Sequence, residues 1–212
     1  MAQSRRVRSA RGLFVVACLW FCLVGLGFGL LARYTNTPGV AVASPTIWPV
    51  ESRLAKAAGS PMLVMFAHPR CPCSRASVAE LAELLAGTGN RIAAQVLFYK
   101  PKGSTEDWAR SDTWKSALAI PGVMVTEDED GVEANRFGAE TSGSVVLYDV
   151  TGQLLFSGGI TAKRGERGAN DGCRAILALL EKAPAPEKTP VFGCPIFDRN
   201  SHCVTANGSW TR

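Results

Sequence analysis

The longest apolar run in the chain is Leu13 to Ala32, 20 residues without a charge or a proline. At 1.5 Å per residue it spans about 30 Å, the hydrocarbon thickness of a bilayer. A buried helix of a soluble domain would rarely be this long and apolar on every face, so the run predicts a membrane span. Further on, Glu51 to Ala58 predicts a short helix that stops at Gly59. Pro61 to Ala67 is continuously apolar, which suits a central strand buried on both faces. Ser74 to Ala86 places Val78, Leu81, Ala82 and Leu85 on one face and predicts a helix, ended by Gly87 and Gly89. Arg91 to Tyr99 carries Ile92, Val96, Leu97 and Phe98 and predicts a strand parallel to the first, which completes a β-α-β unit.

Trp108 and Trp114 mark a short helix ending before Pro121, Val123 to Thr126 a small strand, and Ala134 to Phe137 another short helix. Ser144 to Asp149 and Gln153 to Ser157, joined at Thr151-Gly152, read as a β-hairpin. A glycine-rich loop from Gly158 to Gly172 leads to a helix from about Cys173 to Lys182, capped by Asn170 or Asp171. No internal repeat is present. The pattern divides the chain into a basic segment (1–12), an anchor (13–33), a proline-containing linker (34–49), an α/β domain (50–183), and a proline-containing linker with a cysteine-containing tail (184–212).

Charge then orients the anchor. Arg5, Arg6, Arg8 and Arg11 precede it and only Arg33 follows closely, which puts the N-terminus in the cytoplasm and the domain across the membrane; the expected location is single-pass in an inner membrane, with the domain periplasmic or otherwise extracytoplasmic. A cleaved signal peptide is the rival, with Ala41-Val42-Ala43 as the small-residue site, but the apolar run is long for a signal core and the site lies well beyond its end. The net charge of +5 comes from those five arginines: of 23 basic residues 18 remain, against 18 acidic ones. No basic stripe with interleaved aromatics appears, so the chain predicts contact with a lipid bilayer through 13–33 and no nucleic-acid partner.

Seven cysteines change the picture more. Cys18 and Cys22 lie inside the apolar run and read as filler. Cys71, Cys73, Cys173, Cys194 and Cys203 lie outside it, in a compartment that tolerates disulfides, and their odd number leaves one thiol over or a pairing that changes. His68-Pro69-Arg70-Cys71-Pro72-Cys73-Ser74 joins the apolar strand to the following helix. Helix N–H groups and the macrodipole favour thiolate there. Cys71 reads as the attacking sulfur and Cys73 as its partner; in a second register Cys73 is the resolving group and Arg70 replaces the attacking cysteine. A bridge across one residue would be strained and easily reduced, which favours an oxidant, isomerase or sensor. His68 is a candidate base or charge partner, against a plain reading as a polar residue where a strand leaves the core. Arg70 and Arg75 favour thiolate or are ordinary surface charges. Cys194 and Cys203 read as a structural disulfide ordering the tail, with a relay pair to Cys71 and Cys73 as the rival. Cys173 reads as a packed residue.

Met62 to Leu85 followed by Gly143 to Gly159 resembles the thioredoxin-like superfamily, and HPRCPCSRAS with TSGSVVLYDVTGQLLFSGGIT resembles more narrowly the RedB-type membrane-anchored redox proteins of bacteria. The resemblance implies an α/β, thioredoxin-like fold, a central mixed sheet flanked by helices, behind one transmembrane helix. It implies thiol–disulfide exchange with protein thiols or disulfides and no organic cofactor. Cys71 and Cys73, with His68, take the catalytic positions; Pro72, Ser74, Arg75 and Gly143 take supporting ones. Two departures stand out. The cysteines are separated by one residue where the family has two, and Gly143 occupies the place of the family's cis-proline. The loop lacks the threonine- or glutamine-containing motifs of peroxiredoxins and glutathione peroxidases.

Two other functions remain open from the sequence: a non-enzymatic redox sensor, and a copper-binding assembly factor using His68, Cys71 and Cys73, one nitrogen and two soft sulfurs. The other histidine, His202, lies in the tail. Lys163, Arg164 and Arg167 read as a solvated loop or an anion site. Glu127 to Asp130 reads as a solvated turn without a full calcium-loop motif, and Asn207-Gly208-Ser209 carries no weight as a glycosylation acceptor in a bacterial chain.

Overall fold

The apolar run and the α/β pattern fall into two separate parts, 1–37 and 38–212. The computed structural model describes residues 2–89 and 91–197. In the first part a single helix, α1 (Ala2–Asn36), contains a stretch, Gly12–Asn36, of mean hydropathy 2.5, long and apolar enough to cross a membrane and unburied by protein.

In the second part the strand β1 (Met62–Ala67) is buried along its whole length, as its uninterrupted apolar sequence requires. The strand β2 (Ala93–Lys100) pairs with it in parallel, Met65 opposite Val96, after the crossover helix α2 (Pro72–Thr88). A 3₁₀ turn at Glu106–Trp108 and the helix α3 (Asp112–Leu118), capped by the Ser111 hydroxyl accepting from Trp114 N–H, lead to β3 (Val123–Glu129), parallel to β2. A short helix, α4 (Val132–Arg136), precedes the hairpin β4 (Ser144–Tyr148) and β5 (Leu154–Gly159). β4 runs antiparallel to β1, Val64 opposite Val146. The helix α5 (Asp171–Leu180) follows, with Asn170 Oδ1 accepting from Cys173 N–H at 2.8 Å. The strand order is β3-β2-β1-β4-β5. A β-α-β unit, a hairpin and a terminal helix in this order form a thioredoxin-like fold.

Alternation along β1 builds two cores. Leu63, Met65 and Ala67 face Val78, Leu81 and Ile176, so α2, α3 and α5 cover one face. Met62, Val64 and Phe66 face Phe137, Tyr148 and Ile196 on the other. Burying each such side chain contributes about 1.5–3 kcal/mol. Among the described residues, the second core is covered by the short helix α4 and irregular chain rather than by a long helix. Trp48 packs edge-on against Phe137 and Tyr148, with ring centroids 5.1 and 5.2 Å away. The Tyr148 hydroxyl donates to Pro45 O at 2.8 Å, and Leu154 N–H to Thr46 O at 2.9 Å. Residues 38–48, whose prolines suggest a linker, thus make a strap along the domain.

Three local expectations differ from the structure. Residues 51–58 form turns and bends rather than a helix, because Ser52 Oγ and Arg53 N–H donate to the Glu133 carboxylate, at 2.7 and 3.1 Å, instead of forming an internal ladder. The acidic run 127–130 is not simply a solvated turn: Glu127 pairs with Lys100, and buried Asp128 accepts from Glu133 and Ala134 N–H at the start of α4. The segment after Pro186 docks on the domain. Ser157 N–H donates to Glu187 O, Thr189 lies against Gly158, and Ile196 is buried in the second core.

Phe137 is fully buried at the centre of that core, with Phe66 and Tyr148 centroids at 5.6 and 5.8 Å. Phe137→Ala is expected to lower the unfolding free energy by about 3–5 kcal/mol in chemical denaturation; a loss under about 1 kcal/mol would contradict this packing.

Candidate redox site

β1 ends at Ala67 and α2 begins at Pro72, so the four residues 68–71 make the whole turn. Pro72 stands at the first helical position, where its missing N–H costs nothing. Cys71 becomes the N-cap residue and Cys73 lies within the first turn. The turn closes with Cys71 N–H donating to His68 O and Ser74 N–H donating to Cys71 O, both at 3.1 Å.

A second turn, 141–144, locks this loop from the side. Ser142 Oγ accepts from His68 N–H at 2.7 Å and lies 2.6 Å from Ser74 Oγ, which in turn reaches His68 O at 3.1 Å. Gly143 N–H donates to Phe66 O at 2.7 Å. Gly143 has φ +92°, and a Cβ there would lie 2.7 Å from Ser77 Oγ. Backbone angle and space both demand glycine at this position, and no cis peptide occurs among the described residues.

The C-terminal segment supplies the third wall. Ser142 N–H donates to Cys194 O and Ile196 N–H to Glu140 O, both at 2.8 Å. Gly193 presses on the same turn, since a Cβ there would fall 1.9 Å from Ser142 O. Arg164 Nη1 donates to Gly193 O. The outcome is a cluster of three sulfurs, Cys71, Cys73 and Cys194, all within 4.8 Å of one another. Cys71 and Cys73 are buried, 4% and 7% exposed, while Cys194 is half-buried.

These contacts set the acidities. Cys71 falls from the ordinary thiol value of 9.0 to about 4, chiefly because the Cys194 thiol donates to its sulfur. Burial opposes this, and the N–H groups of Cys194 and Ser74 and the Ser74 hydroxyl assist it. The Cys73 thiol is pushed up by burial and then by the Cys71 charge; Arg164 acts in the opposite sense. Cys194 is pushed up by its hydrogen bond to Cys71 and by burial. One thiolate is therefore held between two thiols.

The other residues singled out by sequence lie as follows. His68 Nδ1 accepts from Arg70 N–H at 3.2 Å, its ring stacks on Tyr99 at 5.9 Å and meets Trp108 edge-on, and its nitrogens are outside the sulfur cluster. The Arg70 guanidinium lies 4.6 Å over the Trp108 ring. Arg75 and Pro72 are exposed on α2. Lys163 pairs with Glu166 and Arg167 with Glu83. Cys173 is half-buried at the start of α5, and burial pushes it up to about 11. Cys203 and His202 lie outside the described residues, so the Cys194–Cys203 pairing remains an expectation. The sequence left Cys194 between a tail disulfide and a relay pair to Cys71 and Cys73, and it did not single out Ser142 or the pairing of Arg164 with Gly193. The odd number of cysteines outside the apolar run was the signal that a pairing could change.

No family model and no curated relative matches the chain. Solved structures do. A hypothetical protein of Sinorhizobium meliloti is 19% identical at a TM-score of 0.55, over 76% of this chain and 93% of that one. An uncharacterized conserved protein of Geobacillus kaustophilus is 18% identical at 0.55, over 78% and 94%. A secreted Mycobacterium tuberculosis disulfide oxidoreductase homologous to E. coli DsbE is 15% identical at 0.42, over 59% and 83%. At such identities the likeness is one of fold, and chemistry must be argued from the sulfurs.

Two predictions follow from the acidities. Because the Cys71 value is depressed, the folded chain holds a thiolate between pH 4 and 9 where a free cysteine holds a thiol. The ultraviolet thiolate absorbance of the reduced protein is expected to stay level across neutral pH and to fall as pH drops through about 4; a midpoint near the ordinary 9.0 would contradict it. Gly193→Ala should displace the segment that carries Cys194 and raise this midpoint, whereas an unchanged midpoint would show that Cys194 does not hold the thiolate.

Proposed function

We propose that this chain is a membrane-anchored thiol–disulfide oxidoreductase, working outside the cytoplasm on protein thiols or disulfides. The observation that carries the proposal is the placement of Cys71 at the N-terminus of α2 with two further sulfurs within 4.8 Å, which lowers its pKa from the ordinary thiol value. Thiolate, not thiol, attacks a disulfide, and a nearby second thiol is needed to release the product. Cys73, one residue away, is the partner expected from the Cys-Pro-Cys spacing. The helix Gly12–Asn36 provides the anchor, and the arginines before it favour a cytoplasmic N-terminus.

Ser142, Ser74 and Gly143 hold the loop that presents Cys71 and are read as positioning residues. His68, engaged with Arg70 N–H and two aromatic rings, is read as shaping the loop rather than abstracting a proton. A thiol that is already ionised at neutral pH needs no base.

One observation favours a second reading. Three sulfurs at this separation also suit copper(I), with Cys194 as the third ligand where the spacing suggested His68. Copper(I) titration would then release protons from Cys73 and Cys194. A sensor would differ from an enzyme in showing no turnover of a model disulfide.

Cys71→Ser is expected to abolish turnover of a model protein disulfide, while Cys173→Ser leaves it unchanged; turnover surviving in Cys71→Ser would overturn the proposal. The full chain is expected to stay in the membrane fraction after alkaline extraction, and its release into the soluble fraction would contradict the anchor.

A further inference from the structure

We infer that Cys194, carried by the C-terminal segment, is the thiol that resolves the mixed disulfide on Cys71, so that the working redox pair is Cys71 with Cys194 rather than with Cys73. This rests on the exchange reading above and names the partner within it.

Both candidate partners lie within 4.8 Å of Cys71, so proximity does not decide between them. Direction of approach does. Cys71 is the N-cap of α2, and Cys73 lies two residues on in the same first turn. The Cys71 backbone is extended, φ −83° and ψ 120°, and the two thiols interact directly, but a bridge between them would close across Pro72 alone. A bridge that spans a single residue is strained. Cys194 carries no such restriction. It arrives from a separate segment, held by the Ser142 N–H to Cys194 O and Ile196 N–H to Glu140 O bonds on either side of Pro195. Its sulfur can move toward Cys71 without disturbing α2.

The charges favour the same order of events. While Cys71 is a thiolate, Cys194 donates a hydrogen bond to it and stays protonated. When Cys71 becomes part of a mixed disulfide, its negative charge is gone. The largest cause that keeps Cys194 protonated is gone with it, and Arg164 favours the Cys194 thiolate. The resolving thiol is thus restrained until the first step has occurred.

The steps balance. The Cys71 thiolate attacks one sulfur of a substrate disulfide, forming a Cys71–substrate bond and releasing the other substrate sulfur as thiolate. That thiolate takes up a proton from solvent. Cys194 loses its proton to solvent and attacks Cys71 Sγ; the Cys71–Cys194 bond forms, the second substrate thiolate leaves and is protonated. The substrate gains two electrons and two protons, and the two cysteines lose two electrons. An external dithiol returns the pair to the reduced state. With a dithiol substrate and an external disulfide, the same steps run in reverse.

The test uses the full chain in detergent with oxidised glutathione as the probe. In Cys194→Ser, the Cys71–glutathione mixed disulfide should accumulate. In the wild type and in Cys73→Ser it should pass on to a Cys71–Cys194 bridge, identified by mass mapping of linked peptides. Cys194→Ala gives the same readout without a hydroxyl. Accumulation in Cys73→Ser instead, or a Cys194–Cys203 bridge that persists through the cycle, would overturn the assignment while leaving the exchange reading intact. Failure of Cys71 to form any mixed disulfide in any variant would overturn both.

Discussion

Two backbone hydrogen bonds, Ser142 N–H to Cys194 O and Ile196 N–H to Glu140 O, fasten the C-terminal segment to the turn before β4. The sulfur site depends on this attachment. Without it the loop after β1 presents two cysteines and no donor from outside α2. With it a third sulfur reaches Cys71 and supplies the largest contribution to its low pKa. The attachment has no slack, since Gly193 leaves no room for a Cβ above Ser142 O and the buried Ile196 anchors the far side in the core. The second core and the sulfur site are therefore stabilised by the same piece of chain.

A thiol with a pKa near 4 is a good leaving group and, once ionised, an intrinsically weaker nucleophile than one titrating near neutrality. Stabilising the thiolate stabilises the reduced state. The same stabilisation makes a disulfide on Cys71 easier to reduce. Here its source is the hydrogen bond from Cys194 rather than strain in a bond between Cys71 and Cys73.

Much of the fold was legible because it is written in periodicity. β1, α2, β2 and the β4–β5 hairpin carry apolar runs or helical spacing, and their register follows from them. Cys71 and Cys73 were legible because a strand–loop–helix junction is a recognisable setting for a reactive thiol. The strap 38–48 and the segment after Pro186 were not legible as packed structure. Their prolines and small residues show no period, and they are held by backbone hydrogen bonds and by a few side chains such as Trp48 and Ile196. The role of Glu133 in satisfying residues 52 and 53 was hidden for the same reason, because it joins positions about eighty residues apart. Cys194 was open to two readings, a tail disulfide or a relay to Cys71 and Cys73, since its approach to Cys71 depends on where that unpatterned segment docks.

The most direct measurement is the rate at which Cys71 forms a mixed disulfide with a small disulfide at mildly acidic pH, in the folded chain and in the same chain unfolded by denaturant. A thiolate created by the fold predicts that the folded chain keeps reacting while the unfolded chain, with an ordinary thiol, nearly stops. Equal loss of reactivity in both states on acidification would contradict it, because the reactivity of Cys71 would then owe nothing to the three-sulfur arrangement.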